Sequence, residues 1–128
     1  MKTPDWVKET VWYQIFPERF ANGDSTNDPV GTKPWRPSDH PGRDDYYGGD
    51  LQGVLDHLDD LQALGVNGLY FCPIFTASSN HKYDTIDYLT IDPDFGDKTL
   101  FAKLVNEAHK RGMRVMPVSY THLRAHET

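Results

Sequence analysis

The sequence predicts an α/β fold built on parallel strands, and three observations support this prediction. Strand-like apolar runs alternate with segments of helical periodicity, in the order strand, helix, strand, helix, strand. Parallel strands joined by right-handed crossovers satisfy this order. The connections from helix to strand are very short. The connections from strand to helix are long, and long connections in compact domains usually carry function.

The first strand is expected at residues 11–16, a run of β-branched and aromatic residues that Pro17 ends. The run has little polar alternation, so we expect it to be buried on both faces, as parallel strands are. An irregular segment, residues 17–50, leads to the first helix, with Asp50 as its N-cap and Gly65 as the left-handed residue that ends it. The apolar side chains of this helix recur at helical spacing at Leu51, Val54, Leu55, Leu58, Leu61 and Leu64.

The second strand is expected at residues 68–72, where Pro73 ends the apolar run. A second long segment follows, up to Asp97, which we expect to cap the second helix. Gly112 ends that helix after a cationic last turn, the end of the helix dipole that favours positive charge. The third strand begins at residues 114–116. The apolar face of the second helix consists of Leu100, Phe101, Leu104, Val105 and Ala108.

The long connections predict where a functional site lies. In parallel α/β folds the strand-to-helix loops leave at the carboxyl edge of the strands, and this edge holds the ligand site in barrels and open sheets alike. The two long segments must therefore share one face of the sheet. We expect residues 79–88 of the second segment to point into their common cleft.

Residues 79–88 combine tyrosine, histidine, lysine and aspartate side chains within one short stretch. An aromatic face beside carboxylates and an imidazole suits a polar, ring-shaped ligand such as a sugar. The aromatic ring covers the apolar face of the sugar, and the acids accept its hydroxyl protons. The alternative is a surface loop of turn-forming residues whose tyrosines pack against its own base.

Oxygen-bearing side chains are concentrated at residues 21–29, and residues 46–50 add a carboxylate and flexible backbone carbonyls. Hard oxygen ligands in a flexible loop suit calcium, which takes six to eight of them. The spacing is not that of an EF-hand. The alternative is turn chemistry, because Asn and Asp bond their own backbone. The scattered histidines and Cys72 show no spacing typical of a transition-metal site.

Composition excludes several classes of protein. The 128 residues suit one domain, and the net charge of −6 gives no basic surplus for nucleic acid. No apolar run is long enough to span a membrane, and no signal peptide is recognisable at the N-terminus. The single cysteine, Cys72, cannot form an internal disulfide and lies in an apolar run. It predicts a buried thiol in a reducing, cytoplasmic compartment.

Three motifs, in order, carry a resemblance to a known family. Residues 12–24 (WYQIFPERFANGD) resemble the first-strand segment of the alpha-amylase family, and most of all its neopullulanase, cyclomaltodextrinase and maltogenic amylase branch. Residues 48–53 (GGDLQG) resemble the entry to helix one of that branch, and residues 80–88 (NHKYDTIDY) resemble its loop after strand two. The resemblance extends from about Trp6 to Met116.

The resemblance implies a partial (β/α)8 TIM barrel, strands 1–3 with long βα loops, from a retaining glycosidase of α-glucans. Its substrates would be the α-1,4 and α-1,6 bonds of cyclomaltodextrin, pullulan and maltooligosaccharides. By position, Tyr83 would stack on the glucose ring at the cleavage site, with His81 and Asp84 near it. Full-length members of this branch are often dimers. The residues that match the calcium ligands of the branch are Asn22, Asp24, Asn27, Asp28, Gly48 through its carbonyl, and Asp50.

The pattern changes after Met116. The third strand of the family continues with an Asp and then an Asn-His pair, and residues 117–123 contain neither. We therefore expect residues 1–116 to be the N-terminal part of the catalytic domain and residues 117–128 to be an aberrant, unstructured or artefactual tail. The family's catalytic carboxylates come from strands four, five and seven, so we expect this chain to be inactive alone.

Two alternatives from other classes remain open. The first is a non-catalytic calcium- or carbohydrate-binding module that uses the same loops. The second is a small open α/β domain with a structural role, which would bind neither sugar nor calcium.

Overall fold

The computed structural model of the chain contains the predicted strands and helices in the predicted order, with several short elements added. It describes residues 2–36 and 40–117, apart from the side chains of Tyr88 and Leu89. The elements in chain order are α1 (Asp5–Lys8), β1 (Trp12–Ile15), α2 (Pro17–Phe20), a 3₁₀ turn (Ser25–Asn27), α3 (Leu51–Asp56), α4 (Leu58–Ala63), β2 (Gly68–Phe71), β3 (Phe75–Ala77), β4 (Thr85–Ile91), α5 (Lys98–Lys110) and β5 (Arg114–Pro117).

Strands β1, β2 and β5 form one parallel sheet with β2 in the centre. In its register Gln14 pairs with Tyr70, and Tyr70 pairs with Met116. This confirms the predicted α/β fold with parallel strands. In the part of the chain that the structure describes, the sheet is open and does not close into a barrel.

The predicted helix caps are confirmed. The Asp50 carboxylate accepts the Gly53 N–H at 2.7 Å at the start of α3, and Asp97 accepts the Leu100 N–H at 2.8 Å at the start of α5. These bonds satisfy backbone donors that have no partner within the helix. At the other ends, Gly65 and Gly112 adopt φ of 94° and 72°, where a residue with a Cβ would be strained.

The core lies between one face of the parallel sheet and helices α3, α4 and α5. Its buried side chains are Ile15, Leu51, Val54, Leu58, Leu61, Val66, Leu69, Phe71, Ile74, Ile91, Phe95, Leu104, Ala108 and Met113. The expectation that the first strand is buried on both faces was wrong, because Gln14 is exposed. The core cluster takes in Ile15, Leu69 and Phe71 from this sheet, whereas Gln14 alternates to the opposite face beside Tyr70.

The first predicted helix is divided in two at His57. The backbone there has φ −109° and ψ 11°, and the His57 N–H bonds to the Val54 carbonyl at 3.1 Å instead of continuing the regular helix. The imidazole packs edge-on against Phe20, with centroids 5.9 Å apart, and its Nδ1 lies 2.8 Å from Asp60. His57 is exposed, so it lies on the solvated side of the helices.

The segment after β2, predicted as a loop, contains an antiparallel hairpin of β3 and β4. Ala77 pairs with Thr85 and Thr76 with Asp87, and the register shifts between these pairs. The β-branched residues of β4, which include Ile86, Thr90 and Ile91, are a strand signal that the prediction of a loop did not use. The hairpin encloses the residues predicted to bind sugar.

Strand β5 extends one residue further than expected, because Pro117 pairs with Phe71. Residues 118–128 of the predicted tail lie outside the described residues, so the division at Met116 stays a prediction. Within the described ranges no helix has the length and apolar character needed to cross a bilayer.

Candidate functional site

The two long loops meet at the carboxyl edge of the parallel sheet. The Asn80 side chain reaches from the second loop to the first, where its Nδ2 donates to the carbonyl oxygens of Arg43 at 2.9 Å and Asp45 at 3.0 Å. The Tyr46 hydroxyl donates in the opposite direction, to the Ser78 carbonyl at 3.0 Å. These contacts confirm the prediction that the loops share one face, which rested on the connection lengths and on the rule that strand-to-helix loops leave at the carboxyl edge of a parallel sheet.

A polar cleft of about 300 Å³ lies between the two loops. Its lining residues are Arg43, Asp44, Tyr46, Ser78, Ser79, Asn80 and His81. Its volume is at the lower end of the range for small-molecule sites, about 300–1,000 Å³. The cleft therefore has room for a small polar group such as one sugar ring.

The imidazole of His81 is held in one orientation by its own loop. The Tyr83 N–H donates to His81 Nδ1 at 3.0 Å, so the hydrogen of the neutral ring lies on Nε2. The ring centroids of His81 and Tyr83 are 5.8 Å apart, with the planes tilted by 39°. His81 is exposed and Tyr83 is partly buried. The pair offers an N–H donor beside an aromatic face.

The carboxylate of Asp84 is occupied by the serines that precede it. Its Oδ2 accepts the Ser78 hydroxyl at 2.5 Å and its Oδ1 accepts the Ser79 hydroxyl at 2.5 Å. The hydroxyl of Ser78 and then that of Ser79 lower the pKa of Asp84 from 3.8 to about 2. Asp84 therefore remains ionised and closes the turn. The structure brings His81, Tyr83 and Asp84 into one loop, and their contact with sugar stays a prediction.

Lys82, between two of these residues, turns away from the solvent. Its ammonium group lies 3.0 Å from Asp92 and 3.4 Å from Asp94, with 2% of the lysine side chain exposed. The Nζ atom also lies 5.3 Å from the ring centroid of Phe95. No local pattern predicts this arrangement, because the partners Asp92 and Asp94 follow β4 later in the chain.

The predicted calcium ligands come from two loop segments that touch. Asp50 is fully buried, and its carboxylate accepts the N–H groups of Gly23 at 2.9 Å and Asp24 at 3.0 Å in addition to its helix cap. The Asn22 side chain lies 2.7 Å from Asp28 Oδ1. Gly48 has φ of 80°, which favours glycine, and a Cβ there would lie 2.7 Å from the same Asp28 oxygen.

Two features of this loop decide whether a cation fits it. Asn27 Oδ1 is buried and has no hydrogen-bond partner, which leaves an amide oxygen available as a hard ligand. Burial raises the pKa of Asp50, against the hydrogen bonds that lower it, as expected of a carboxylate that lacks a compensating charge. The donor set thus fits a hard cation such as calcium.

Asp24 differs from the other predicted ligands. Its Oδ1 accepts both the N–H and the hydroxyl of Thr26, at 3.0 and 2.5 Å, within its own 3₁₀ turn. Across the described residues no group of three or more His, Cys, Asp or Glu side chains is placed to hold a metal ion. Any calcium site here would depend on amide and backbone oxygens as well, and the ligand set stays a prediction.

Glu18 is a buried acid that the sequence did not single out. Its carboxylate accepts the N–H groups of Tyr47 and Gly48, the latter at 2.9 Å, so it fixes the segment that enters α3. Burial raises its pKa, and these backbone hydrogen bonds oppose the rise. No pattern in residues 17–20 predicts the role, because the partners lie far along the chain.

Comparison with known proteins agrees with this architecture. The model of the alpha-amylase catalytic domain matches residues 14–119. The chain is 60% identical over 115 residues to the intracellular maltogenic amylase of Bacillus subtilis, covering 90% of this chain and 19% of that protein. It is 60% identical over 114 residues to neopullulanase 2 of Thermoactinomyces vulgaris, covering 89% and 20%.

A solved structure shows the same arrangement. It is the cyclic alpha-maltosyl-(1→6)-maltose hydrolase of Arthrobacter globiformis, in complex with cyclic alpha-maltosyl-(1→6)-maltose. It superposes with a TM-score of 0.86 at 48% identity, over 91% of this chain and 26% of that one.

The parallel strands and their long loops define part of a (β/α)8 barrel of the glycoside hydrolase class. The chain belongs to the alpha-amylase family, in the branch of the neopullulanases, cyclomaltodextrinases and maltogenic amylases. It spans about a fifth of the length of the curated relatives it matches.

Proposed function

We propose that this chain forms one wall of the substrate cleft of a retaining α-glucan hydrolase, as strands 1–3 of its barrel. The observation that carries the proposal is the junction of the two long loops, where Asn80 bonds the carbonyls of Arg43 and Asp45. This junction puts the aromatic and imidazole groups of the second loop at the edge where barrels of this kind bind their ligands. The names of the matched relatives support an α-glucan as the substrate.

Each predicted sugar-binding residue has a role that its geometry allows. The ring of Tyr83 stacks on the apolar face of a glucose unit. The Nε2–H of His81 donates to a sugar hydroxyl, since Nδ1 is already bonded to the Tyr83 N–H. Asp84 holds the turn and accepts sugar hydroxyls with its remaining lone pairs. The substrates are maltooligosaccharides, cyclomaltodextrin and pullulan, with α-1,4 and α-1,6 bonds.

The chain alone is proposed to be inactive. Retaining hydrolysis needs a nucleophilic carboxylate and an acid carboxyl about 5–5.5 Å apart. Four carboxylates of the chain are already engaged: Glu18 and Asp50 accept backbone N–H groups, Asp84 accepts serine hydroxyls, and Asp92 pairs with Lys82. Their engagement supports the proposal that bond cleavage needs acids from further strands of the barrel. A cytoplasmic location is proposed from the name of the Bacillus subtilis relative.

A structural calcium ion is the second part of the proposal. Asn22, Asn27, Asp28, the Gly48 carbonyl and Asp50 would hold it, with Asp24 joining if its carboxylate left Thr26. When bound, the ion would supply positive charge next to a buried carboxylate. The residues themselves connect the first loop to the start of α3.

The test is a titration of the 128-residue chain with maltotriose, followed by amide chemical shifts. Shifts confined to residues 78–84, with Tyr83→Ala weakening the dissociation constant at least tenfold, are expected. The matched control is Ile86→Ala, an exposed apolar truncation nearby on β4, which should leave binding unchanged. If both substitutions changed the dissociation constant for maltotriose equally, Tyr83 would not be a sugar-binding residue.

The inactivity is tested separately. Incubation of the chain with cyclomaltodextrin or pullulan should release no maltose or panose above a boiled-protein blank. Catalytic release would overturn the proposal that the acids lie elsewhere. A non-catalytic binding module stays the alternative, because the contacts that shape the cleft all lie within this chain. Tight maltotriose binding, without hydrolysis by any longer chain that contains this segment, would favour the module.

A further inference from the structure

The backbone at Lys82 is left-handed, with φ of 65°, and it is the one non-glycine residue of the described chain with positive φ. An L-residue adopts this conformation only when its surroundings compensate for the strain. Local hydrogen bonds contribute, since the Lys82 N–H donates to the Ser79 hydroxyl at 3.1 Å and its carbonyl accepts the Thr85 hydroxyl at 3.0 Å. Both bonds are neutral, and a third constraint comes from the side chain.

The side chain of Lys82 is buried and pairs with two carboxylates. Its ammonium group lies 3.0 Å from Asp92 Oδ2 and 3.4 Å from Asp94 Oδ2. Exposure of the side chain is 2% for Lys82 and 4% for Asp92. A buried charge of this kind needs its partner, because removal of one member leaves the other unpaired in a poorly solvated place.

Asp92, the buried acid of this ion pair, is itself held by backbone hydrogen bonds. Asp92 Oδ2 also accepts the Ala77 N–H at 3.1 Å, and Asp92 Oδ1 accepts the Asp94 N–H at 2.9 Å. The Asp92 N–H donates to the Ile74 carbonyl at 2.9 Å. The carboxylate is thus tied to both strands at the base of the hairpin, so a lysine bound to it cannot rotate outward without breaking the ion pair.

We propose that Lys82 is a positioning residue, whose buried ammonium group holds the left-handed turn that keeps His81 at the cleft and Tyr83 bonded to it. The inference rests on the proposed sugar site. With Lys82 directed inward, His81 lines the cleft, and its Nδ1 accepts the Tyr83 N–H. A lysine in extended conformation would break this bond and separate the imidazole from the aromatic ring.

The experiment measures amide hydrogen exchange and maltotriose affinity on the full 128-residue chain. Lys82→Met keeps an unbranched apolar chain one atom shorter than lysine and removes the charge, and Lys103→Met, at an exposed position on α5, is the matched control. We expect Lys82→Met to accelerate exchange of the Tyr83 amide at least tenfold and to weaken maltotriose binding at least tenfold. The control should change neither quantity by more than twofold.

A paired variant separates positioning from simple charge balance. Lys82→Met combined with Asp92→Asn removes the unpaired carboxylate, so the amides of β2 should keep wild-type protection even if Lys82→Met alone unfolds the chain. In this double variant, exchange at Tyr83 should stay at least tenfold faster and binding at least tenfold weaker. If the double variant restores both quantities, or if Lys82→Met changes neither, the inference is overturned.

The two readouts also distinguish the inference from the proposed function. If the wild-type chain shows no shift with maltotriose, the proposed sugar site fails, while the exchange rate of Tyr83 still decides whether Lys82 holds the turn. If maltotriose binds and loses affinity in Tyr83→Ala but not in either Lys82 variant, the site stands and the positioning role of Lys82 fails.

Discussion

The side-chain nitrogen of Asn80 lies 3.0 Å from the carbonyl oxygen of Asp45. This contact joins two loops between which the chain forms α3, α4 and β2. The same nitrogen lies 2.9 Å from the Arg43 carbonyl, so both amide hydrogens have partners. Asn80 is buried, with 6% of its surface exposed. The junction is therefore a shared, water-shielded element of both loops, and not an incidental surface contact.

Replacement of Asn80 by Ala should lower the free energy of unfolding by about 1–3 kcal/mol, because two hydrogen bonds between the loops are lost, although the Asp45 carbonyl keeps its bond to Arg19. Chemical denaturation measures this change. Asn106→Ala on the exposed face of α5 is the control and should change stability by less than about 0.5 kcal/mol. Asn80→Asp should be worse than Asn80→Ala, since it puts an acceptor opposite two acceptors. Equal stability of the Asn80 and Asn106 variants would contradict the role of the junction.

The free energy of unfolding should fall at acid pH partly because of Asp84. Its pKa in the folded chain is about 2, below the ordinary 3.8, chiefly because it accepts the Ser78 hydroxyl and then the Ser79 hydroxyl. The folded state therefore holds the proton less tightly than the unfolded state. This contribution is fully present above pH 3.8 and is lost as the pH falls from 3.8 toward 2.

A carboxyl-carbon NMR titration measures the pKa directly. Ser78→Ala removes the largest cause and should move the Asp84 pKa up toward 3.8, with Ser25→Ala, in the distant 3₁₀ turn, as the control. A wild-type pKa at or above the ordinary value would show that the serine hydroxyls do not bond Asp84 in solution.

Much of the scaffold is predictable because its causes are local. The caps by Asp50 and Asp97 follow from side chains that bond an N–H three residues on, and an apolar run bounded by proline identifies β2. The meeting of the two loops followed from a topological rule of parallel sheets and needed no knowledge of side chains. The resemblance to the family extended the prediction from an open α/β fold to a specific part of a barrel.

The remaining features depend on contacts between residues far apart in sequence. The β-branched residues of β4 favour a strand, but its pairing with β3 through two register shifts is not visible in the sequence. The break at His57 coincides with the packing of its ring against Phe20. The pairing of Lys82 with Asp92 is not visible, because a polar loop lysine and a polar loop aspartate each look solvated in the sequence. Such pairs become apparent only when the backbone that brings them together is known.

Gly49 should tolerate no side chain, although its φ is unexceptional. A Cβ there would lie 1.9 Å from the Pro17 carbonyl oxygen, and the Gly49 N–H itself donates to the Glu18 carbonyl at 2.9 Å. The overlap is with backbone, which cannot move aside, so Gly49→Ala should cost more than about 3 kcal/mol or prevent folding. Thermal and chemical unfolding measure the loss.

Gly65 is the matched comparison for Gly49. A Cβ at Gly65 has nothing within 4 Å, but the residue has φ of 94°. Gly65→Ala should therefore cost only about 1 kcal/mol, the strain of a left-handed L-residue. A smaller loss at Gly49 than at Gly65 would mean that Gly49 does not lie against the Pro17 carbonyl in solution.

Calcium should stabilise the chain if the loop of Asn22, Asn27, Asp28, Gly48 and Asp50 holds it. An ion that binds only the folded state adds about 2.7 kcal/mol to the free energy of unfolding at a concentration one hundred times its dissociation constant. The oxygen of Asn27 gives one physical reason, since it is buried without a hydrogen-bond partner, and Asp50 gives another, since the burial that raises its pKa favours a positive charge beside its carboxylate. Unfolding temperature, measured in EDTA and in a calcium series, reports the effect.

Asp28→Ala should abolish the calcium-dependent rise in unfolding temperature, whereas Asp44→Ala, an exposed aspartate of the other cleft, should leave it intact. Magnesium should give a smaller rise than calcium, because it demands shorter distances and strict octahedral geometry that a set of amide and backbone oxygens cannot easily meet. The same unfolding temperature in EDTA and in calcium, or equal responses of the two aspartate variants, would show that the oxygen atoms serve the turn alone. In that case the Asn27 oxygen would bind water instead of calcium. Asn27→Ala would then lower the free energy of unfolding by the same amount with and without calcium.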